Sequence, residues 1–188
     1  MNNILAVYVA EVNRFKGNTI LPEYVSEKRS NETQKAVYGL LKYAVKQTFN
    51  FDDDFQDLKK DANGKPVGDR YYLSISHKAN LIAVAVSNKN VGVDIESVNP
   101  NANTMNIWKT IKHQEEASYN INNIEEIIQF WVKKESKFKY DGGKKFVPKD
   151  INTLNLDYYI DEFVYNNQKY FLSVYAEDYN NIKVEYLI

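Results

Sequence analysis

A continuous apolar run, LIAVAV at residues 81–86, constrains the fold more than any other stretch of this sequence. Successive side chains of a strand point to opposite faces, so a strand made of this run must be buried on both sides. At 188 residues the chain is long enough for one sizeable domain or for two small halves that share a core. Its 44% content of hydrophobic residues supports such a packed globule and argues against disorder.

Charge and cysteine content exclude several classes of function. The 24 basic and 25 acidic residues nearly balance, so no overall field favours nucleic acid or an anionic membrane as a partner. The absence of cysteine excludes disulfides, thiolate catalysis and cysteine-ligated zinc. The apolar N-terminal stretch lacks a basic flank and is interrupted by Glu11, which argues against a signal peptide or a membrane span. We therefore expect a cytoplasmic protein.

Hydrophobic periodicity predicts an α+β fold. Apolar residues recur at helical spacing in two long segments, and alternating or continuous apolar runs predict strands, three of which follow one another as an antiparallel meander. The apolar segments that follow residue 151 predict further strands joined by Asn-rich turns. The predicted helices are Glu27–Phe49, Met105–Tyr119 and Asn123–Tyr140, and the predicted strands before residue 97 are Ile4–Val12, 71–77, 81–86 and 91–96.

The polar connection SVNPNANT, residues 97–104, is the best candidate boundary between two halves. We therefore divide the chain into an N-terminal α+β half, 1–97, and a C-terminal α+β half, 98–188. The similar strands YYLSI (71–75) and YFLSV (170–174) favour a duplicated unit in which a helix precedes a meander.

The acidic segment FDDDFQD, residues 51–57, has two interpretations. A calcium loop needs alternating oxygen ligands and a central glycine, and this segment lacks both. A solvated connection is therefore favoured.

Two carboxylates share one face of the predicted strand VGVDIE, residues 91–96. Because a strand has a two-residue period, Asp94 and Glu96 project together with Cα atoms ~7 Å apart, and the apolar residues point to the other face. Gly92 leaves the next position on the acidic face bare, as a docking surface. Paired carboxylates suit Mg²⁺, with Mn²⁺ as an alternative ion, although an exposed acidic strand has the same pattern.

The predicted helix 123–140 supplies a third carboxylate. Its apolar stripe includes Trp131 and Phe138, and Glu135 occupies the position between them. Burial of a bare carboxylate is costly, so Glu135 must be paired or bound to a metal ion. Lys139 follows one helical turn later on nearly the same side.

Several polar residues near these acids are candidates for phosphate contacts. Lys134 and Lys139 flank Glu135 and reach far enough to contact a phosphate. Ser76 and His77 end a predicted strand, where a ring can meet a ligand. Nothing in the sequence assembles these residues into a Ser/His/Asp triad.

Four short segments occur in the order and approximate spacing of one enzyme family. They are GKP (64–66), SISH (74–77), VGVDIE (91–96) and WVKKESKFKYDG (131–142). Together they resemble the 4′-phosphopantetheinyl transferases, most closely the surfactin-synthetase-activating type. The resemblance covers about residues 64–143, and outside it only the strand–helix pattern matches.

The resemblance implies an architecture and an activity. Two similar α+β halves, each an antiparallel meander packed with helices, would form a pseudo-twofold pair with coenzyme A in the cleft between them. The enzyme would be an Mg²⁺-dependent transferase that moves the 4′-phosphopantetheine arm of coenzyme A onto a serine and releases 3′,5′-ADP. The serine would belong to an apo acyl, peptidyl or aryl carrier protein of fatty-acid, polyketide or nonribosomal peptide biosynthesis.

The resemblance also implies roles for the matching residues. Asp94, Glu96 and Glu135 would hold Mg²⁺ against the pyrophosphate, and Glu135 is our candidate to take the serine proton. Lys139 would neutralise charge on the pyrophosphate and help 3′,5′-ADP to leave. The other implied contacts to coenzyme A are His77 with Ser76 at the 3′-phosphate, Lys65 and Pro66 near the nucleotide end, and Lys35 and Lys28 at the 3′-phosphate.

The sequence departs from the family pattern at two positions. Lys35 stands where the family has Arg, and Val132 stands where Thr or Ser is frequent. A lysine keeps the charge but loses the bidentate fork, which puts the strength of 3′-phosphate binding in doubt.

The main alternative is a non-catalytic coenzyme A or carrier-protein binding module descended from such an enzyme. The presence of all three acids together with Lys139 favours the enzyme. Because one chain holds both halves and can close the cleft by itself, we expect a monomer.

Overall fold

A computed structural model describes residues 3–17, 20–25, 31–119, 121, 123–178 and 180–188. Over these residues the strands are β1 (Leu5–Glu11), β2 (Lys59–Lys60), β3 (Pro66–Val67), β4 (Tyr72–Lys78), β5 (Leu81–Ser87), β6 (Gly92–Ser97), β7 (Tyr159–Tyr165), β8 (Gln168–Tyr175) and β9 (Lys183–Leu187). The α-helices are α1 (Glu32–Phe49), α2 (Thr104–Ile111) and α3 (Ile124–Asp141). The protein is therefore of mixed α+β class, as predicted.

Two sheets form the middle of the molecule. The first has the strand order β4–β5–β1–β9 and the second has the order β6–β8–β7, while β2 and β3 form a separate hairpin. Apolar residues on the facing sides of the sheets make one core, with Val7 and Ala83 from the first sheet and Val93 and Leu172 from the second. α1 covers the other face of the first sheet, and α3 packs against β6 and β8. The layers thus run helix, sheet, sheet, helix.

The strand β5 is buried along its whole length, as its apolar run predicts. Ala83 and Ala85 contribute to the core between the sheets. Ile82, Val84 and Val86 contribute to the core beneath α1. Burial on both faces explains why no polar residue interrupts this run.

The strand that carries the two acids does not continue the predicted meander. β6 pairs antiparallel with β8 rather than with β5, so the prediction is wrong at its third strand. The hydroxyls of Ser74 and Ser76 on β4 instead accept hydrogen bonds from the N–H groups of Val93 (3.0 Å) and Ile95 (3.4 Å). Buried N–H groups need hydrogen-bond partners. The two serine hydroxyls supply them here in place of the backbone carbonyls of a neighbouring strand, and they join the two sheets.

One order of elements occurs twice within the described residues. β1, α1, β4 and β5 form a strand–helix–strand–strand unit whose last strand is central, and β6, α3, β7 and β8 repeat this order with the same antiparallel pairing. The second unit begins with β6, so a division after residue 97 cuts the repeat behind its first strand. The similar segments 71–75 and 170–174 lie on an edge strand and a central strand, so they are not equivalent positions of this repeat.

Two of the predicted helices are confirmed with small changes at their starts. α1 ends where predicted and begins at Glu32, because Asn31 is extended and caps the helix with its side chain. Residues 27–30 of the predicted helix lie outside the described residues. α3 begins one residue later than predicted and is ended by Gly142 in the left-handed conformation. Among the described residues, no helix combines the length and the apolar character that crossing a membrane requires.

The predicted helix 105–119 is instead two elements. α2 ends at Ile111, and a 3₁₀ turn, Gln114–Ser118, follows it. His113 separates them, since its N–H donates to the Glu116 carboxylate at 2.9 Å and its Nδ1 accepts from the following turn. A periodic apolar pattern alone does not reveal such a break.

The acidic segment 51–57 is anchored at Asp53, which is only 2% exposed. Its carboxylate pairs with Arg70 Nη2 at 2.6 Å and accepts a hydrogen bond from the Tyr71 hydroxyl. The prediction of a solvated connection is therefore wrong at this residue. A cation and a hydroxyl from the two residues that precede β4 stabilise the buried charge, and the segment itself contains neither.

Candidate active site

Gly92 lets α3 approach β6 more closely than any side chain would allow. A Cβ built on Gly92 would lie 1.9 Å from the carbonyl oxygen of Ser136 and 2.7 Å from the nitrogen of Tyr140. The hydroxyls of Ser136 and of Ser173 on β8 bond each other at 2.9 Å in the same contact. The bare position on this face is therefore the place where the helix docks.

Asp94 lies two residues further along the same face and is 3% exposed. Its Oδ1 accepts hydrogen bonds from Lys139 Nζ at 2.7 Å and from the Ser76 hydroxyl at 2.6 Å. The acid lies on β6, the cation on α3 and the hydroxyl on β4. Asp94 is thus the point at which three elements meet around one buried charge.

Glu135 lies one helical turn before Lys139 and faces the same carboxylate. Lys139 Nζ is 3.8 Å from Glu135 Oε2, so one ammonium is shared between two acids. The pKa of Glu135 is raised to about 7, first by burial and then by the charge of Asp94, while Lys139 opposes the shift. Glu135 therefore points towards the acidic face of β6, as its place in the apolar stripe predicts.

Glu96, the third acid of this face, has partners of its own. Its Oε1 lies 2.6 Å from Lys78 Nζ and accepts a hydrogen bond from the N–H of Ser97 at 2.7 Å. Lys78 thus supplies positive charge at one end of the acidic face, and Lys139 supplies it at the other.

The donor set can be compared with the needs of Mg²⁺. Within the described part of the chain, no group of three His, Cys, Asp or Glu side chains is arranged to hold a metal ion. The chemistry nevertheless fits, because Asp94, Glu96 and Glu135 supply the hard carboxylate oxygens that Mg²⁺ prefers. The raised pKa of Glu135 indicates that burial and the Asp94 charge outweigh the single Lys139 ammonium. A divalent cation held by these acids would complete the neutralisation.

A cavity of about 220 Å³ opens beside Lys139. Lys65 and Pro66 line it from the β2–β3 hairpin, Ser74 lines it from β4, and the end of α3 closes it. The structure therefore brings Lys65, Pro66 and Lys139 together, three residues for which the sequence predicts contacts to coenzyme A.

Ser76 and His77 are neighbours on β4 and point to opposite faces of the first sheet. Successive residues of a strand point to opposite faces, and Ser76 points to the second sheet, where it bonds Asp94. Ile75 contributes to the core beneath α1, so His77 points to that side and is exposed near the end of the strand. Ser76 therefore contacts an acid of the site, and His77 does not share its face.

Lys134 does not contribute to the site. Its side chain is 0% exposed, lies 2.7 Å from Glu116 Oε2 and donates to the carbonyl of Ile151. The prediction that it contacts phosphate is wrong. Neighbours on a helix point about 100° apart, so adjacency to Glu135 in sequence places Lys134 against a different part of the protein.

Of the two lysines predicted to contact the 3′-phosphate from the first helix region, the structure describes one. Lys35 is exposed on the first turn of α1, whereas Lys28 lies outside the described residues. α1 covers the face of the first sheet to which His77 points. Lys35 and His77 therefore lie on the same side of this sheet, opposite to the acids.

Three polar residues of this region had no predicted role. Lys78 pairs with an acid, Ser74 supports β6, and Asn90 bonds both the hairpin and α3. The two-residue period of β4 places Lys78 and Ser74 on the face of Ser76, so that signal was present in the sequence. No local pattern marks Asn90, whose partners lie 25 and 50 residues away.

Comparison with known proteins does not assign this chain to a family. No family model matches it, and no curated protein sequence matches it.

Proposed function

We propose that the protein is a 4′-phosphopantetheinyl transferase of the surfactin-synthetase-activating type, the family that its motifs resemble. It transfers the phosphopantetheine arm of coenzyme A to a serine of an apo carrier protein in an Mg²⁺-dependent reaction. The observation that carries the proposal is that Asp94 on β6 and Glu135 on α3 share the ammonium of Lys139. The cavity lined by Lys65 and Pro66 lies directly beside this group.

The reaction is a phosphoryl transfer. The serine oxygen attacks the β-phosphorus of coenzyme A, the bond from that phosphorus to the bridging oxygen breaks, and this oxygen leaves with 3′,5′-ADP. Glu135, directly or through a water molecule, takes the serine proton. Lys139 lies beside the pyrophosphate and stabilises the leaving group. Bound Mg²⁺ would supply further neutralisation of the pyrophosphate.

We propose the two strand–helix–strand–strand units as the pseudo-twofold halves. In this proposal their boundary is the turn 88–91, before β6, rather than residue 97. The cavity beside Lys139 is lined by β4 and the hairpin before it and by the end of α3, so it lies between the two units. Coenzyme A would occupy this cleft with its nucleotide near Lys65, and with its 3′-phosphate near His77 and Lys35.

The partners that follow from this proposal are coenzyme A and a small carrier protein. Both halves belong to one chain, so the proposed enzyme works as a monomer. We propose the cytoplasm as its compartment.

The proposal is tested by mixing the protein with coenzyme A, Mg²⁺ and an apo carrier protein and then weighing the carrier. We expect a mass gain of one phosphopantetheine arm and release of 3′,5′-ADP, both abolished by a metal chelator. Carriers of several classes should be offered, and a carrier mass that never changes would refute the proposal.

The alternative is a non-catalytic coenzyme A or carrier-protein binding module. It is favoured by one observation, namely that Lys78 and Lys139 pair with Glu96 and Asp94 and supply the acidic face with its own cations. Calorimetry with coenzyme A together with the carrier mass distinguishes the two functions, because a binding module would bind coenzyme A and leave the carrier unmodified.

A further inference from the structure

The last turn of α3 has backbone carbonyls that accept no hydrogen bond from the helix itself. A helix leaves its last four carbonyl groups without partners from later turns. In α3 the N–H groups of Gly142 and Gly143 both donate to the carbonyl of Phe138. The carbonyl of Tyr140, nearer the end, is bonded by side chains from other elements.

Asn90 supplies the shorter of these bonds. Its Nδ2 donates to the Tyr140 carbonyl at 2.7 Å. Its Oδ1 accepts from Lys65 Nζ at 2.9 Å and from the N–H of Val91 at 3.0 Å. One amide group therefore connects α3, the β2–β3 hairpin and the residue that precedes β6.

The hairpin adds two bonds to the same end of the helix. Lys65 Nζ lies 3.5 Å from the Tyr140 carbonyl, and Asn63 Nδ2 donates to the Gly142 carbonyl at 2.5 Å. A cation is favourable at the negative end of a helix dipole. Burial lowers the pKa of Lys65, so its ammonium depends on these acceptors and on the nearby charge of Asp61.

We infer that Asn90 is a positioning residue, which fixes the last turn of α3 against β6 and so sets the Lys139 ammonium against Asp94. Lys139 directly precedes the residue whose carbonyl Asn90 bonds. At Gly92 the backbone of the helix already touches the strand, so a small shift of the helix end changes the geometry of the whole site. Misplacement by about 1 Å can cost about 100-fold in rate.

The catalytic part of this inference rests on the proposed function, and two substitutions test it. Asn90→Ala removes all the side-chain bonds, and Asn90→Asp keeps the acceptor for Lys65 but cannot donate to Tyr140. We expect either change to lower kcat about 10- to 100-fold and to leave the KM for the carrier protein unchanged. Asn88→Ala is the matched control, because Asn88 lies on the same turn and bonds Ile4 before β1, at 2.9 Å.

Amide hydrogen exchange of the folded protein provides a readout that needs no activity. Asn90→Ala should speed exchange of the Gly142 and Gly143 N–H groups about tenfold, since the last turn opens more often once its tether is removed. Asn88→Ala should leave this exchange unchanged.

The outcomes separate the two proposals. Faster exchange at the helix end in a protein that never modifies a carrier would support the positioning role and refute the transferase. An active wild-type protein whose Asn90→Ala variant keeps both kcat and slow exchange would overturn the positioning role. Equal losses of kcat in Asn90→Ala and Asn88→Ala would overturn it as well, because any loss of stability would then suffice.

Discussion

Two ion-paired lysines lie five residues apart on α3 and have opposite surroundings. Lys134 and its partner Glu116 both have fully buried side chains. Glu116 also accepts hydrogen bonds from the N–H and the hydroxyl of Thr153. Lys139 is 24% exposed and is shared between Asp94 and Glu135.

The two acids paired with these lysines differ in the direction of their pKa shifts. Burial raises the pKa of Glu116, but hydrogen bonds from Lys134, His113 and Thr153 outweigh it, and the net shift is downward. At Glu135, burial and a second carboxylate outweigh the cation, and the pKa rises to about 7. An acid whose pKa is raised because its charge is only partly compensated is typical of functional sites, so Glu135 rather than Glu116 fits the proposed chemistry.

Glu135→Gln should show the largest effect, because it removes a proton acceptor and a metal ligand with almost no change of shape. We expect the rate of arm transfer to fall by about 10²- to 10⁴-fold. Mass spectrometry of the carrier protein over time measures this rate. Glu126→Gln, on the exposed side of the same helix, is the control that should keep its rate. Wild-type turnover by Glu135→Gln would contradict the assignment of the site.

Lys134→Met should cost about 3–5 kcal/mol of unfolding free energy, since it leaves the Glu116 carboxylate buried without a cation. Lys139→Met should cost less, because Asp94 and Glu135 can then share a proton. Urea denaturation of the two variants at the same pH measures both values. Equal losses would show that the two lysines do not differ in the way the structure indicates.

The unfolding free energy should depend on pH through Glu135. Its pKa is about 7 in the folded protein and lies near 4.5 in the unfolded chain. The folded state therefore binds more protons between these values, so this contribution is complete below pH 4.5 and is lost as the pH rises through 7. The loss should be on the order of 2–3 kcal/mol in metal-free protein. Denaturation of the wild type and of Glu135→Gln from pH 4.5 to 8 should show a smaller decline in the variant, and parallel curves would argue against a raised pKa.

Lys78→Met should have the smallest effect and should act on metal binding. Removing the ammonium beside Glu96 makes this acid more available to a divalent cation, and a half-exposed ion pair is worth up to about 1 kcal/mol. We expect Mn²⁺ affinity, measured by titration calorimetry, to rise about two- to fivefold. Lys89→Met makes the same change in net charge at an exposed turn and should leave the affinity unchanged. Weaker binding in Lys78→Met would show that this lysine supports the site.

Much of the site follows from local periodicity. The period of two along VGVDIE predicts that Gly92, Asp94 and Glu96 share a face, and the helical stripe predicts that Glu135 points inward. Both features are present in the structure. These predictions succeed because the direction of a side chain depends on the backbone of its own element.

The errors arise where the outcome depends on a distant partner. Whether β6 continues the meander depends on β8, which lies more than 70 residues away and supplies the backbone hydrogen-bond partners of β6. The sequence predicts that Lys134 contacts phosphate, and only its distant partners Glu116 and Ile151 show that it is buried. The spacing of residues along the chain does not reveal such distant partners. A buried charge is tolerated only where a partner of opposite charge or a hydrogen-bonding group lies beside it.

The sequence by itself determined which residues share a face of each strand or helix, because the strand and helix periods are properties of the local backbone. Only the tertiary structure decided which faces meet. The docking of α3 at Gly92 brought Glu135 and Lys139 to Asp94, and the bonds of Asn90 hold the end of that helix. These contacts join residues about 40 to 50 positions apart, and packing of whole elements sets them rather than any local preference.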